Sequence, residues 1–273
     1  MAEFPEGTPC WVDAMFTDVE GAKEFYADVL GWTFGEASSE YGNYTQAYSD
    51  GKAVAAIVPP MPGGDAPSQW CLYFASDDAA ATAEKIEAAG GKLMMGPMRV
   101  GTFGTMVIAQ EPSGAVFGVW QPGEHKGFEK LGEAGAYAWA ELCTRDPERA
   151  DPFLERVFPY GSQQMQAGGD CDDPGAAGMD FKIFSVGGAD HPVLGRMKMG
   201  EEFPPQVPSY VQVYFGVPDC DEAVEKTRAR GGQVYFGPMD SPFGRFAAVG
   251  DPQGAVFAVI DMAKRSGEMP KFE

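Results

Sequence analysis

Ala22, Phe25, Tyr26, Val29 and Leu30 recur with the i, i+3, i+4, i+7, i+8 spacing of one helix face. Asp18 precedes the stretch as an N-cap residue. Gly31 follows as a stop, because glycine takes left-handed backbone without the cost of a Cβ. Trp11 to Thr17, just upstream, predicts a short strand. Trp70 to Ala75 predicts another, followed by a helix over Ala79–Ala89 that Gly90-Gly91 ends, and then by three strands. Gly96-Pro97-Met98, Phe103-Gly104 and Pro112-Ser113-Gly114 read as the turns between them.

The same pattern returns later in the chain. Tyr73-Phe74, Glu84-Lys85, Gly90-Gly91 and Gly96-Pro97-Met98 reappear at an offset of 141 as Tyr214-Phe215, Glu225-Lys226, Gly231-Gly232 and Gly237-Pro238-Met239. Pro112 to Phe117 matches Pro252 to Phe257 at an offset of 140. The opening stretch repeats at 128: Trp139, Glu141, Asp146, Phe153 and Val157 answer Trp11, Asp13, Asp18, Phe25 and Val29. So long a period means duplicated domains rather than a short-repeat solenoid. The expected organisation is a first domain over 1–121, a glycine- and charge-rich linker over 122–136, a second domain over 137–262 and a tail over 263–273. The fold class is α+β, with βαβββ repeated four times and the modules paired within each domain.

Charge narrows the partners. The 273 residues carry 40 acidic and 20 basic side chains, a formal net charge of −20. Phosphate backbones and anionic membranes are repelled, so neither nucleic acid nor a membrane is an expected partner, whereas a cationic ligand is attracted. No apolar run approaches the roughly 18 residues of a membrane span. The five cysteines (10, 71, 143, 171 and 220) form no Cys-x-x-Cys pair and are odd in number, which suits reduced thiols. Met1 to Glu6 has no basic or apolar run, so the expected location is the cytoplasm.

Phe25-Tyr26-x-x-Val29-Leu30-Gly31-Trp32, the Ala83-Glu84-Lys85-Ile86 helix end before Gly90-Gly91, and Asp251-Pro252-x-Gly254 resemble the vicinal oxygen chelate superfamily, which holds glyoxalase I, bleomycin-resistance proteins and extradiol dioxygenases. Pro9-Cys10-Trp11-Val12-Asp13 and the two-domain layout most resemble its actinobacterial glyoxalase-like members. The resemblance implies two tandem domains with cupped mixed sheets. It also implies where a divalent metal would be held, and those positions carry the wrong side chains: Trp11 and Trp139 on the opening strands, Cys71 and Gln212 on the first strand of the closing units, and Gly118 and Ala258 on the final strands. Cys71 or Gln212 alone cannot supply a three- or four-donor site, so the expectation is no metal and no cofactor. His125 lies in the linker and His191 in a turn, and both read as exposed loop residues. The sequence has no phosphate-binding loop, dinucleotide fingerprint or nucleophile elbow.

Strand alternation gathers what remains in each cup. Trp11, Asp13, Met15, Cys71, Tyr73 and Gly118 are the ligand-binding candidates of the first. Trp139, Glu141, Cys143, Gln212, Tyr214 and Ala258 are those of the second. Gly118 and Ala258, standing where a glutamate would project, are expected to enlarge the space. An aromatic cup with one carboxylate suits a flat hydrophobic ligand, held by stacking and by burial at roughly 25 cal/mol per Å2. The function expected is therefore a metal-free protein that captures a hydrophobic aromatic, cationic natural product, for self-resistance or as an accessory to a biosynthetic enzyme, with a monomer as the default state. The alternative is a metal-free isomerase, cyclase or hydroxylation-assisting enzyme in which Asp13 or Glu141 is the acid/base; a glyoxalase-type lyase stands behind both.

Overall fold

The computed structural model describes residues 4–60, 68–166 and 179–273. Cys171 lies outside them. The first half runs β1 (Pro9–Met15), α1 (Val19–Leu30), β2 (Thr33–Phe34), β3 (Thr45–Ser49), β4 (Lys52–Val58), β5 (Trp70–Ala75), α2 (Ala79–Ala88), β6 (Lys92–Val100), β7 (Gly104–Gln110) and β8 (Val116–Pro122). The second runs β9 (Tyr137–Thr144), α3 (Pro147–Val157), β10 (Tyr160–Gln164), β11 (Phe181–Val186), β12 (Pro192–Lys198), β13 (Tyr210–Gly216), α4 (Cys220–Ala229), β14 (Gln233–Ser241), β15 (Gly244–Gly250) and β16 (Val256–Asp261). Each half forms one eight-stranded mixed sheet, ordered β2-β3-β4-β1-β5-β8-β7-β6 and β10-β11-β12-β9-β13-β16-β15-β14. This is the α+β architecture of tandem vicinal oxygen chelate domains.

Local chemistry sets the helix ends. The Asp18 carboxylate accepts from Gly21 N–H, and Gly31 takes φ 72° just past the last turn. Ala22, Phe25, Tyr26, Val29 and Leu30 are the buried residues of α1, the face that their spacing predicts. Asp78, Asp146 and Asp219 cap the other three helices in the same way.

The Gly-Pro-Met segments are not turns. Each lies within one edge strand, β6 or β14, where the pairing register slips between Met95 and Met98 and between Phe236 and Met239. A bulge and a turn recruit the same residues, because both need irregular backbone.

The two halves do not keep separate cores. One continuous apolar cluster runs through both, with α1 packed on α4 and α2 on α3. Phe153 of α3 reaches Gly91 in the first half, where a Cβ would sit 2.7 Å from its ring. Phe25 of α1 reaches Gly232 in the second, at 3.0 Å. The second glycine of each Gly-Gly pair thus makes room for the opening-helix phenylalanine of the opposite half. Trp32 and Trp70 meet Phe215 at 5.2 Å each, and the Tyr26 hydroxyl donates to the buried Asp251 carboxylate at 2.9 Å. α2 packs on β6, β7 and β8, α4 on β14, β15 and β16, and β13 of one half on β5 and β8 of the other.

The linker packs as well. Lys130 is buried and donates to Ser49, Asp50 and the Ala134 carbonyl. Trp32 Nε1 donates to the Gly135 carbonyl at 2.7 Å.

Candidate functional site

In the first cup, β1 and β5 pair antiparallel, setting Trp11 opposite Tyr73 and Asp13 opposite Cys71. Alternation then turns Trp11 and Asp13 to the same side. Both Asp13 oxygens are engaged: Tyr73 donates to Oδ1 at 3.2 Å and Tyr44 to Oδ2 at 3.3 Å. The Tyr44 oxygen in turn accepts from Trp11 Nε1 at 2.7 Å. Burial pushes the Asp13 carboxyl up to about 7, and the two phenol donors pull against that shift.

Aromatic side chains crowd this cup, while Asp13, Tyr44 and Cys71 keep part of their surface exposed. Trp11 and Tyr73 are buried. His125 meets the edge of Trp11 at a ring separation of 4.4 Å, and Phe128 lies 5.6 Å from the same indole. His125 is therefore not an exposed loop residue. It is half-buried against Trp11 and Trp120, and burial holds its imidazole down to about 4. Across the opening, Tyr41 from the β2–β3 connection meets Phe103 of the β6–β7 turn at 5.1 Å. Gly118 does not enlarge the cup. The Tyr73 ring lies directly over it, and any Cβ there would overlap the ring.

The second cup follows the same plan with different occupancy. β13 and β9 pair with Gln212 opposite Glu141 and Tyr214 opposite Trp139. Tyr214 donates to Glu141 Oε2 at 2.9 Å. Burial again lifts the carboxyl to about 7, and hydrogen bonds from Tyr214 and Trp139 oppose it. Gln212 is buried and turned to the Val213 carbonyl. Cys143 is buried with its thiol pushed far up, and Tyr210 is bonded to it. Trp139 and Tyr214 stay partly exposed, unlike their buried counterparts Trp11 and Tyr73, while Glu141 and Asp13 are alike partly exposed.

Register explains the difference. Thr45 pairs with Ile57 as Lys182 pairs with Arg196, which sets Phe181 in the place of Tyr44. Phenylalanine brings no hydroxyl, so among the described residues Glu141 has one phenol donor, with the Trp139 indole beside it, where Asp13 has two phenols. Phe181 and Glu141 lie together over Gly195: a Cβ on that glycine would meet Phe181 Cζ at 2.8 Å and Glu141 Cγ at 2.9 Å. From Tyr214 a line of rings leads outward, to Phe246 at 6.1 Å and on to Phe236 at 5.9 Å, which is half exposed. Ala258 is fully buried beside Tyr214. Sequence reading missed Tyr44, Phe181, Phe246 and the linker residues. Alternation along β3 and β15 could have found the first three; nothing local marks the linker contacts.

The positions that hold a metal in related folds do not fit one here. Trp11 and Trp139 offer an indole N–H, a donor with no lone pair for a cation. Gly118 is covered by Tyr73, and Gln212 is turned to backbone. Among the described residues no three His, Cys, Asp or Glu side chains converge as a metal site requires. Two open concavities lie away from the cups. One of about 380 Å3 is lined by Glu24, Asp28 and Arg230, and one of about 550 Å3 by Asp151, Asp180 and Arg196. Both are lined by ion-paired side chains. Among the described residues no helix is long and apolar enough to cross a membrane.

The sequence profile described as Glyoxalase/Bleomycin resistance protein/Dioxygenase superfamily matches residues 11–119. The chain is 38% identical over 267 residues to "Putative glyoxylase CFP32" of Mycobacterium tuberculosis, covering 96% of this chain and 97% of that one. It is 35% identical over 276 residues to "Anthracycline biosynthesis protein DnrV" of Streptomyces peucetius, covering 96% of each. Among solved structures it is similar to the Mn(II)-bound glyoxalase from Novosphingobium aromaticivorans, with a TM-score of 0.62 at 17% identity, over 96% of this chain and 87% of that one. At that identity the likeness concerns the fold alone.

Proposed function

The chain belongs to the glyoxalase/bleomycin resistance protein/dioxygenase superfamily, and from that premise we propose that it binds a flat, hydrophobic aromatic small molecule in its second cup, as an accessory protein of a biosynthetic pathway. The observation that carries this reading is the contrast between the cups. The first engages both oxygens of its carboxylate with phenols and packs its indole against the linker. In the second, Glu141 accepts from the Tyr214 phenol and the Trp139 indole, both partly exposed, beside a run of rings from Tyr214 through Phe246 to the exposed Phe236. Such a run offers stacking surface to a planar ligand, at about 0.5–1.5 kcal/mol per well-placed aromatic pair beyond burial. The free capacity of Glu141 suits an amine on that ligand, and the net charge of −20 favours a cation over the whole surface. The names of two relatives, DnrV and DauV, refer to anthracycline biosynthesis, and anthracyclines are flat aromatics.

The test uses two probes of one shape and different charge, acridine orange (a planar cation) and anthraquinone (neutral). Both should bind, and Trp139→Ala should weaken both. Glu141→Gln should weaken acridine orange selectively. A Trp139→Ala protein that binds both probes as tightly as the native protein would refute the site.

A second reading rests on one observation, that Glu141 is poised near neutrality 2.9 Å from the Tyr214 hydroxyl. A carboxyl so tuned is suited to general acid/base work on a bound ligand without metal. Turnover that disappears in Glu141→Gln while binding of the neutral probe persists would favour it.

A further inference from the structure

Beyond β16 the chain does not trail into solvent. Lys264 pairs with Asp219 at 2.7 Å, and Ser266 N donates to the Ser241 carbonyl at the β14–β15 turn, at 2.9 Å. Six residues later the tail has joined the other edge of the sheet. Gln164 N donates to the Glu273 carbonyl at 2.8 Å, Glu273 N to the Gln164 carbonyl at 3.0 Å, and Gln166 N to the Lys271 carbonyl at 2.9 Å. Met165 and Phe272 form an antiparallel bridge. The segment therefore ties β14 to β10, the two outermost strands of the second sheet. The seven steps from Arg265 to Phe272 span at most about 25 Å, so the edges it joins stand close together across a curled sheet.

α4 packs on β14, β15 and β16, and the tail meets the sheet on the face that carries Glu141. Phe272 shows this directly. Its ring lies 6.3 Å from that of Phe181, the residue that shares the space over Gly195 with Glu141. Phe272 keeps part of its surface exposed.

We infer that the C-terminal segment is a wall of the second cup and that Phe272 is a specificity-determining residue in it, rejecting ligands too thick or too polar to lie against its ring. The inference rests on the ligand-binding reading above. Phe272, Phe181, Glu141 and Tyr214 then follow one another around the cup. A flat ligand lies with Phe272 and Phe181 on one side and Tyr214 and Phe246 on the other, and its cationic group meets Glu141. In the first half the chain continues instead into the linker, whose His125 and Phe128 pack on Trp11.

The full-length protein, Phe272→Ala, Phe272→Trp and the exposed-tail control Met269→Ala would be titrated with acridine orange. Removing one aromatic wall should weaken binding about threefold to tenfold. Phe272→Trp should restore it and Met269→Ala should leave it unchanged. Dye should also slow removal of the last residues by a carboxypeptidase in the native protein, because the tail is held on both faces. Unchanged or tighter binding in Phe272→Ala, with Trp139→Ala still weakened, would overturn the wall and leave the cup intact as a site. Absent binding, or binding that Trp139→Ala does not alter, would overturn both.

Discussion

The Tyr73 ring occupies the space that a side chain on Gly118 would need. The two residues are direct neighbours in the parallel pairing of β5 with β8, so the ring is carried over the glycine by the sheet itself. The glycine leaves no hole: its neighbour's ring lies over it, and the Tyr73 hydroxyl donates to Asp13 from that position. Gly118→Ala should destabilise the protein by about 1–3 kcal/mol through overpacking, and should displace Tyr73 from Asp13. Urea denaturation tests this; an unchanged midpoint would show that the ring moves aside freely.

Phe153 and Gly91 make the corresponding statement about the two halves. Phe153→Ala should cost about 3–5 kcal/mol, the usual range for a buried phenylalanine. Because one apolar cluster runs through both halves, the variant should still unfold in one transition. A variant that melts in two well-separated steps would mean that the halves are independent.

Asp13 makes stability depend on pH in a defined direction. Its carboxyl titrates near 4 in the unfolded chain and at about 7 in the folded one. Between those values the folded state binds more protons, so stability falls as pH rises from about 4 to 7. Glu141 contributes in the same sense. Asp13→Asn should flatten this slope, measured as thermal midpoints between pH 4.5 and 7.5; a slope as steep as that of the native protein would contradict the assignment.

Tyr44 is one of the two donors that oppose that shift. Tyr44→Phe should therefore raise the Asp13 carboxyl further, and leave Glu141 where it is. Infrared difference spectra of the protonated carboxyl band across a pH titration resolve this. A downward move of the Asp13 titration would show that Tyr44 acts chiefly by excluding water.

Much of the scaffold was legible in the chain. The spacing from Ala22 to Leu30 predicts the buried face of α1, and Asp18 and Gly31 its ends. The repeat predicts two sheets built alike. What was not legible depends on contacts far apart in sequence. Gly96-Pro97-Met98 carries turn residues yet sits inside β6, because a bulge draws on the same chemistry as a turn. His125 reads as an exposed loop residue, since nothing near it in the chain announces Trp11. One difference between the cups lies in the pair Tyr44 and Phe181. That pair aligns only through the strand register, because the two connections leading into β3 and β11 differ in length.

The central claim is that one cup takes a ligand and the other is crowded by its own aromatic side chains. Native mass spectrometry of the protein with excess acridine orange tests it most directly, with Trp139→Ala and Asp13→Asn alongside. The account predicts one dye per chain, lost in Trp139→Ala and retained in Asp13→Asn. Two dye molecules per chain, or one that survives Trp139→Ala and disappears with Asp13→Asn, would contradict it.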